Sequence, residues 1–447
     1  MKSCESCIKK VEFANSRSYG ARELNPVPTA KSGKNSAKIF WPLRFALCAS
    51  GSLFVSQDMV PQGLENRLEL ALAYIKKAQT FNFFSNPDHL HVLSLAEIGS
   101  AWLRLDRNEG YRYIKLAVQI AKSIGLNTEA GVASFTCFDY EQENIRRIWW
   151  FMYTIYSTMT KWFGVELFAD NDGDLFLPAE KYFKPESELE IYGKEIMRNP
   201  EWFTPSIKSQ SVMGYRILLH RIELRIQKYI LLELSDKPIN TGYIFGSLCG
   251  SLREWFETVR KEMCVHYNSI LDKTSQNLPL SWLALFTILI YNNNVLELIF
   301  PKFMKNILLG KKVQNSPYFN QATEAALFNS SILNAIKLYN PKMEHLNPQL
   351  FKFTFKSGFF LQCTLKIHGI ASPQLETAYA LHVESLLDQG VVFQRTNNFY
   401  NILLHLKDMD LYNSILTFGE FSARKFDIAF EKPQVALADQ FQNVKIN

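Results

Sequence analysis

Glycine and proline are scarce in this chain, 20 and 17 among 447 residues. Their scarcity excludes a collagen-like or low-complexity main body. Cysteine is sparse and odd in number, at seven. Cys48, Cys137, Cys249, Cys264 and Cys363 stand apart among apolar neighbours, a pattern of small core residues in a reducing compartment rather than a disulfide framework. The polar N-terminus lacks the apolar stretch of a secretory signal. A long uncharged stretch, 277–296, is interrupted by Pro279, Ser281 and Asn292-Asn293-Asn294. It reads as a buried helix, with no membrane partner. Strand-like alternation between hairpin turns is missing, which argues against a β fold. The signatures GxSxG, HExxH, GxxxxGK[ST] and GxGxxG are missing too, so the chain is read as no enzyme.

A surplus of charge is also missing from most of the chain. Residues 1–44 hold nine of the 49 Lys and Arg and three of the 43 Asp and Glu, which leaves forty of each sign beyond them. A balanced body with a basic leader has no broad phosphate-binding surface; attraction to phosphate would lie in the leader.

What is present is core material, 47% apolar and 14% aromatic. The expected fold is all-α, a large body of packed antiparallel helices. Residues 1–38, rich in Lys, Ser and Gly, read as a flexible basic leader. Residues 39–180 read as a first helical half, 181–210 as a connection and 211–447 as a second half. Leu64, Leu68, Ala71, Leu72, Ile75 and Ala78 predict one amphipathic helix. An αα-hairpin follows: a helix over 88–105, a polar turn over Asp106–Gly110, and a second helix stopped at Gly125-Leu126 in a Schellman motif. Asp139 and Gln142 form a capping-box pattern opening a helix to Gly164. Val212, Tyr215, Leu219, Ile222, Ile226 and Tyr229 mark a packed helix. Later helices are expected near 241–266, 279–300, 321–338, 347–369, 374–388 and 396–430.

Four groups of residues could carry chemistry. Cys4 and Cys7 form a CxxC, half of a tetrahedral zinc site. Lys9 and Lys10 beside it would favour DNA phosphate. Asp170, Asp172 and Asp174 open like a calcium loop, but Leu175 and Lys181 stand where Gly and Glu belong, which leaves a solvated turn. His89 and His91 are two apart on a helix and cannot easily share a metal, so capping and surface roles are expected. Arg146-Arg147 and Trp149-Trp150 could contact nucleic acid. The same spacing equally puts Trp149 in a core stripe and pairs Arg147 with Glu143, an i,i+4 ion pair worth about a few tenths of a kcal/mol.

Residues 88–178 resemble the middle regulatory region of fungal zinc binuclear cluster transcription factors, also called the xylanolytic activator regulatory domain. Three marks carry the resemblance in order. The first is Ala117, Ala121 and Ser123-Ile124-Gly125-Leu126-Asn127. The second is Glu143, Arg146-Arg147, Trp149-Trp150 and Tyr153. The third is Gly164, Asp170, Asp172, Asp174 and Leu177-Pro178. More diffuse likeness reaches Leu43–Ser50 and Tyr291–Pro301. Tyr156-Ser157 and Gly164-Val165-Glu166 depart from the family's Asp-Arg and Gly-Arg-Pro. The resemblance implies a nuclear regulator of transcription, with co-regulators or the transcription machinery as partners and a small-molecule effector. DNA and zinc would be bound only in a longer form, because the family's cluster needs six Cys and Ala14 occupies the third ligand position here. The residue reading leaves two rivals open: a helical adaptor, and an all-α metal-dependent enzyme using Asp170, Asp172 and Asp174.

Overall fold

The computed structural model describes residues 40–53, 55, 60–163, 175, 177–178, 212–233, 240–271, 278–314, 316–340, 350–368, 372–392 and 396–415. Among these residues there are thirteen main helices and no β-strand, as the sequence predicts. The chain divides into two compact units, Met1–Met159 with Glu166–Ile217 and Thr160–Val165 with Leu218–Asn447.

In the first unit, α1 (Trp41–Ser52) carries Pro42 in its first turn and buries Ala46, Cys48, Ala49 and Ser50. Proline is tolerated there because the first amides have no helical acceptor, and small residues let neighbouring helices approach. It packs against α2 (Arg67–Gln79) and α3 (His89–Leu105). Helix α2 begins at Arg67 rather than near Leu64, because Asn66 accepts from the amides of Leu68 and Glu69 at 2.9 and 3.1 Å. Its buried stripe is Leu70, Ala71, Ile75 and Ala78, whereas Leu68 is exposed. The core face is rotated towards Leu70, leaving Leu68 at the edge. Leu64, ahead of the helix, packs against Cys48, Val55 and Leu70.

Asp88 caps α3, accepting from Leu90 N and His91 N at 2.8 and 3.0 Å, and His91 closes the box by reaching back to Asp88 N. The capping role expected of this pair therefore falls to His91. His89 is half-buried rather than a surface residue, and burial lowers its pKa. The turn after α3 is shorter than expected. Asp106 alone ends α3 and begins α4 (Arg107–Ser123), accepting from Asn108 N at 2.8 Å. A carboxylate that satisfies the new helix's first amides makes a longer turn unnecessary. Helix α4 ends as predicted: Leu126 N donates to Ala121 O at 2.9 Å, Gly125 N to Lys122 O at 3.1 Å, and Gly125 takes φ +79°.

Two more helices of this unit follow. The short α5 (Glu129–Phe135) is capped by Thr128, whose hydroxyl accepts from Gly131 N at 3.0 Å. A Cβ at Gly131 would lie 2.0 Å from the Gly125 carbonyl oxygen, so α5 starts tight against the α4 stop. Helix α6 spans Asp139–Phe163. The side chain of Asp139, and with it the expected capping box, lies outside the described residues. The Gln142 side-chain amide donates to Thr136 O at 3.0 Å, a carbonyl that the bend between α5 and α6 brings within reach.

The second unit contains α7 (Val212–Glu233), which begins in the first, and α8 (Gly242–Leu271), α9 (Leu278–Leu308), α10 (Pro317–Tyr339), α11 (Leu350–His368), α12 (Pro373–Val392) and α13 (Thr396–Leu406). Successive helices from α8 to α13 pack on one another, and α9–α11, α10–α12 and α11–α13 also meet. The region expected as one helix over 396–430 breaks after Leu406. Lys366 of α11 donates there to the carbonyls of Leu406 and Met409, satisfying acceptors the helix leaves open. The segment Leu283–Leu308 is apolar and long enough to cross a membrane, but 78% of its apolar 18-residue window is buried inside the protein, matching the buried-helix reading. A polar seam runs through this unit. Asn292 donates to Asn329 at 2.8 Å and Asn329 to Ser357 at 2.8 Å, which joins α9, α10 and α11. Beside it, Ser330 meets His382 Nε2 at 2.9 Å.

Candidate functional site

The segment after the α4 stop places a short helix where its first residue can reach α6. Thr128 sets the start of α5, and Glu129 then lies opposite Arg146 although 17 residues separate them in sequence. Arg146 Nε donates to Glu129 Oε1 at 2.8 Å and Nη2 to Oε2 at 2.7 Å, a two-pronged pair that fits the planar guanidinium. Arg146 Nη1 is also 3.5 Å from Glu143 Oε2. Glu143 in turn accepts from Arg147 Nε at 3.0 Å. Both arginines and Glu143 are buried, with 7%, 4% and 3% of their surfaces exposed. Burial opposes the charge on Arg146, but Glu129 and Glu143 outweigh it and hold its pKa above the ordinary value.

The tryptophans share this burial. Trp149 is 1% exposed and Trp150 2%, and Trp150 meets Tyr153 edge-on with centroids 5.4 Å apart. The core reading of Trp149 therefore holds, and Trp150 joins it. Neither the arginine pair nor the tryptophan pair faces solvent as a nucleic-acid surface would require. The ion pair of Arg147 with Glu143 forms as the spacing predicts, but in the interior and not on the surface.

Glu129 is the member that sequence reasoning misses. Its signal is local: Thr128-Glu129 directly after the Gly125-Leu126 stop reads as a helix cap followed by a first-turn acid. Leu175 and Leu177 are 1% and 6% exposed, and Pro178 is buried, so the Leu-Pro close of the third mark is interior. Gly164, Asp170, Asp172 and Asp174 lie outside the described residues, as do Cys4, Cys7, Lys9 and Lys10. Among the described residues no group of three or more His, Cys, Asp or Glu is placed to hold a metal. Of the lone cysteines, Cys48 and Cys363 are buried, but Cys137 is exposed. It sits in the bend between α5 and α6, where the chain has left the core.

Residues 16–248, just over half of the chain, match the model of the fungal specific transcription factor domain. The chain belongs to this family. No curated protein and no solved structure matches it. The match encloses α1 to α6, so the clasp built from Glu129, Glu143, Arg146 and Arg147 lies inside the fungal specific transcription factor domain. Within that domain its arrangement is architectural. It ties the short α5 to α6 and leaves no charged or aromatic face of the motif free to bind. The family is regulatory and not a family of enzymes.

Proposed function

We propose that this protein is a nuclear regulator of transcription of the zinc-cluster type, with 39–180 and 211–447 forming the two halves of its regulatory body around a connection at 181–210. The observation that carries this reading is the family's Arg-Arg, Trp-Trp motif on α6, buried and ion-paired in a domain whose sequence matches the family. A body built this way acts on transcription through co-regulators or the transcription machinery, not by touching DNA with the motif.

The zinc cluster of this class does not fit the donors present. Cys4 and Cys7 supply two thiolates, and Ala14 stands where a third ligand belongs. Zinc at Cys4 and Cys7 and phosphate contact through Lys9 and Lys10 accordingly belong to a longer form with further Cys. Regulation by a small effector would bias the packing of helices. The second unit supports this, because the amide of Asn294 and the hydroxyl of Ser385 are buried there without hydrogen-bond partners. A different packing could satisfy them.

Tethering tests the reading. Fused to a heterologous DNA-binding domain in a fungal cell, the chain is expected to change expression of a reporter carrying the matching site, by at least several-fold. Reporter output equal to that of the DNA-binding domain alone would favour a helical adaptor without a role in transcription.

A further inference from the structure

One buried acid lies away from the arginine clasp. Glu97 is in the middle of α3, on the face covered by α1, and is 9% exposed. The Ser50 hydroxyl of α1 lies 3.0 Å from Glu97 Oε2 and 3.2 Å from the Glu97 backbone carbonyl. A hydroxyl has one proton, and a carbonyl can only accept. If Ser50 donates to the carbonyl, its second contact, with Oε2, is a hydrogen bond only when the carboxyl carries the proton and donates to Ser50.

Among the described residues no cation forms an ion pair with Glu97 instead. Arg44 of α1 lies over the Trp41 ring, and Lys76 and Lys77 of α2 and Lys115 of α4 are exposed. The other charged or titratable groups on these elements include Lys122 of α4 and Arg104, His89 and His91 of α3 itself. The acids on the packed elements include Glu69 of α2 and Glu109 of α4. Burial raises the pKa of Glu97 to about 7, opposed only by the Ser50 hydroxyl.

We propose that Glu97 and Ser50 form a proton-sensitive joint between α1 and α3: the neutral acid closes it through both contacts, and loss of the proton to solvent leaves a buried carboxylate that draws the one Ser50 proton away from the Glu97 carbonyl and loosens it. The device would couple the packing of the first unit to proton concentration near neutrality. The sign follows from linkage. The folded state holds this proton more tightly than the unfolded chain, where the carboxyl has its ordinary value of 4.5. Stabilisation is therefore complete below that value and is lost as pH rises through about 7.

The test uses the full chain, with urea unfolding at a series of pH values for wild type, Glu97→Gln and Ser50→Ala. Glu97→Gln keeps the shape and stays neutral. Its folded-to-unfolded ratio should gain on wild type by about tenfold per pH unit between about pH 5 and pH 7, then level off. Infrared difference spectra, wild type minus Glu97→Gln, should show a protonated carboxyl at pH 6 and a carboxylate at pH 8. Ser50→Ala should move that transition to higher pH, since the hydroxyl favours the ionised form; a purely structural contact would not move it. A difference between wild type and Glu97→Gln that ignores pH, or a carboxylate already present at pH 6, overturns the proposal. Should Glu97→Gln fail to fold, an infrared transition of the wild type that Ser50→Ala leaves unmoved overturns it equally.

Discussion

Arg146→Ala is expected to lower the stability of the first unit by about 3–5 kcal/mol, read as a fall in its urea midpoint. The side chain makes a two-pronged pair with Glu129 and a longer contact with Glu143, and it is 7% exposed. Removing it leaves two carboxylates at the junction of α5 and α6 without their guanidinium. Water reaches Glu129 in part, since its side chain is 21% exposed, but Glu143 at 4% has little access to it. Arg147 still holds one oxygen of Glu143, which keeps the cost within this range and not above it. Arg146→Lys should recover only part of the loss, because an ammonium cannot reproduce the fork that meets both oxygens of Glu129. An arginine whose task was to contact phosphate would behave differently: its replacement would leave the midpoint unchanged and alter only binding.

Trp149→Ala should cost about as much, 3–5 kcal/mol, for another reason. The ring is 1% exposed on a helix whose neighbouring positions Ile145, Ile148, Met152 and Tyr153 are also buried. Truncation forfeits the apolar burial and leaves a cavity that surrounding helices can only partly fill. The midpoint shift should be nearly independent of salt. The Arg146→Ala shift, which removes charge, should instead shrink as salt rises to the extent that Glu129 is accessible. Trp149→Phe, which keeps much of the volume, should fall well inside the alanine value.

Much of the first unit is legible in the residues alone. Asp88 caps a helix, Gly125-Leu126 stops one, and the Ile145, Ile148, Trp149 and Met152 spacing faces a core, each by rules that act within a few residues. What escapes is set by contacts far apart in sequence. The spacing shows Arg147 four residues from Glu143, but whether that pair faces water or the interior depends on α5, a helix too short to show a periodic stripe. Arg146 looks unpaired in sequence because its partner is 17 residues away across a turn. Glu97 reads as one polar residue in an apolar helix, and nothing local says that Ser50 will cover it. The asparagines of α9 interrupt a hydrophobic run in the sequence, yet Asn292 is buried because Asn329 of α10 receives it. The family resemblance falls on the legible part: its marks are caps, stops and stripes, together with the arginine pair whose partner only the fold reveals.

The account stands on α5 and α6 being clasped through Glu129 and Arg146, and a double-mutant cycle measures that clasp directly. Glu129→Ala, Arg146→Ala and the double variant are unfolded in urea beside the wild type. A coupling energy of about 2 kcal/mol, in the range of residues sharing one buried network, is the expected result. Single losses that add to within about 0.5 kcal/mol would show that the two side chains do not act on each other, and would contradict it.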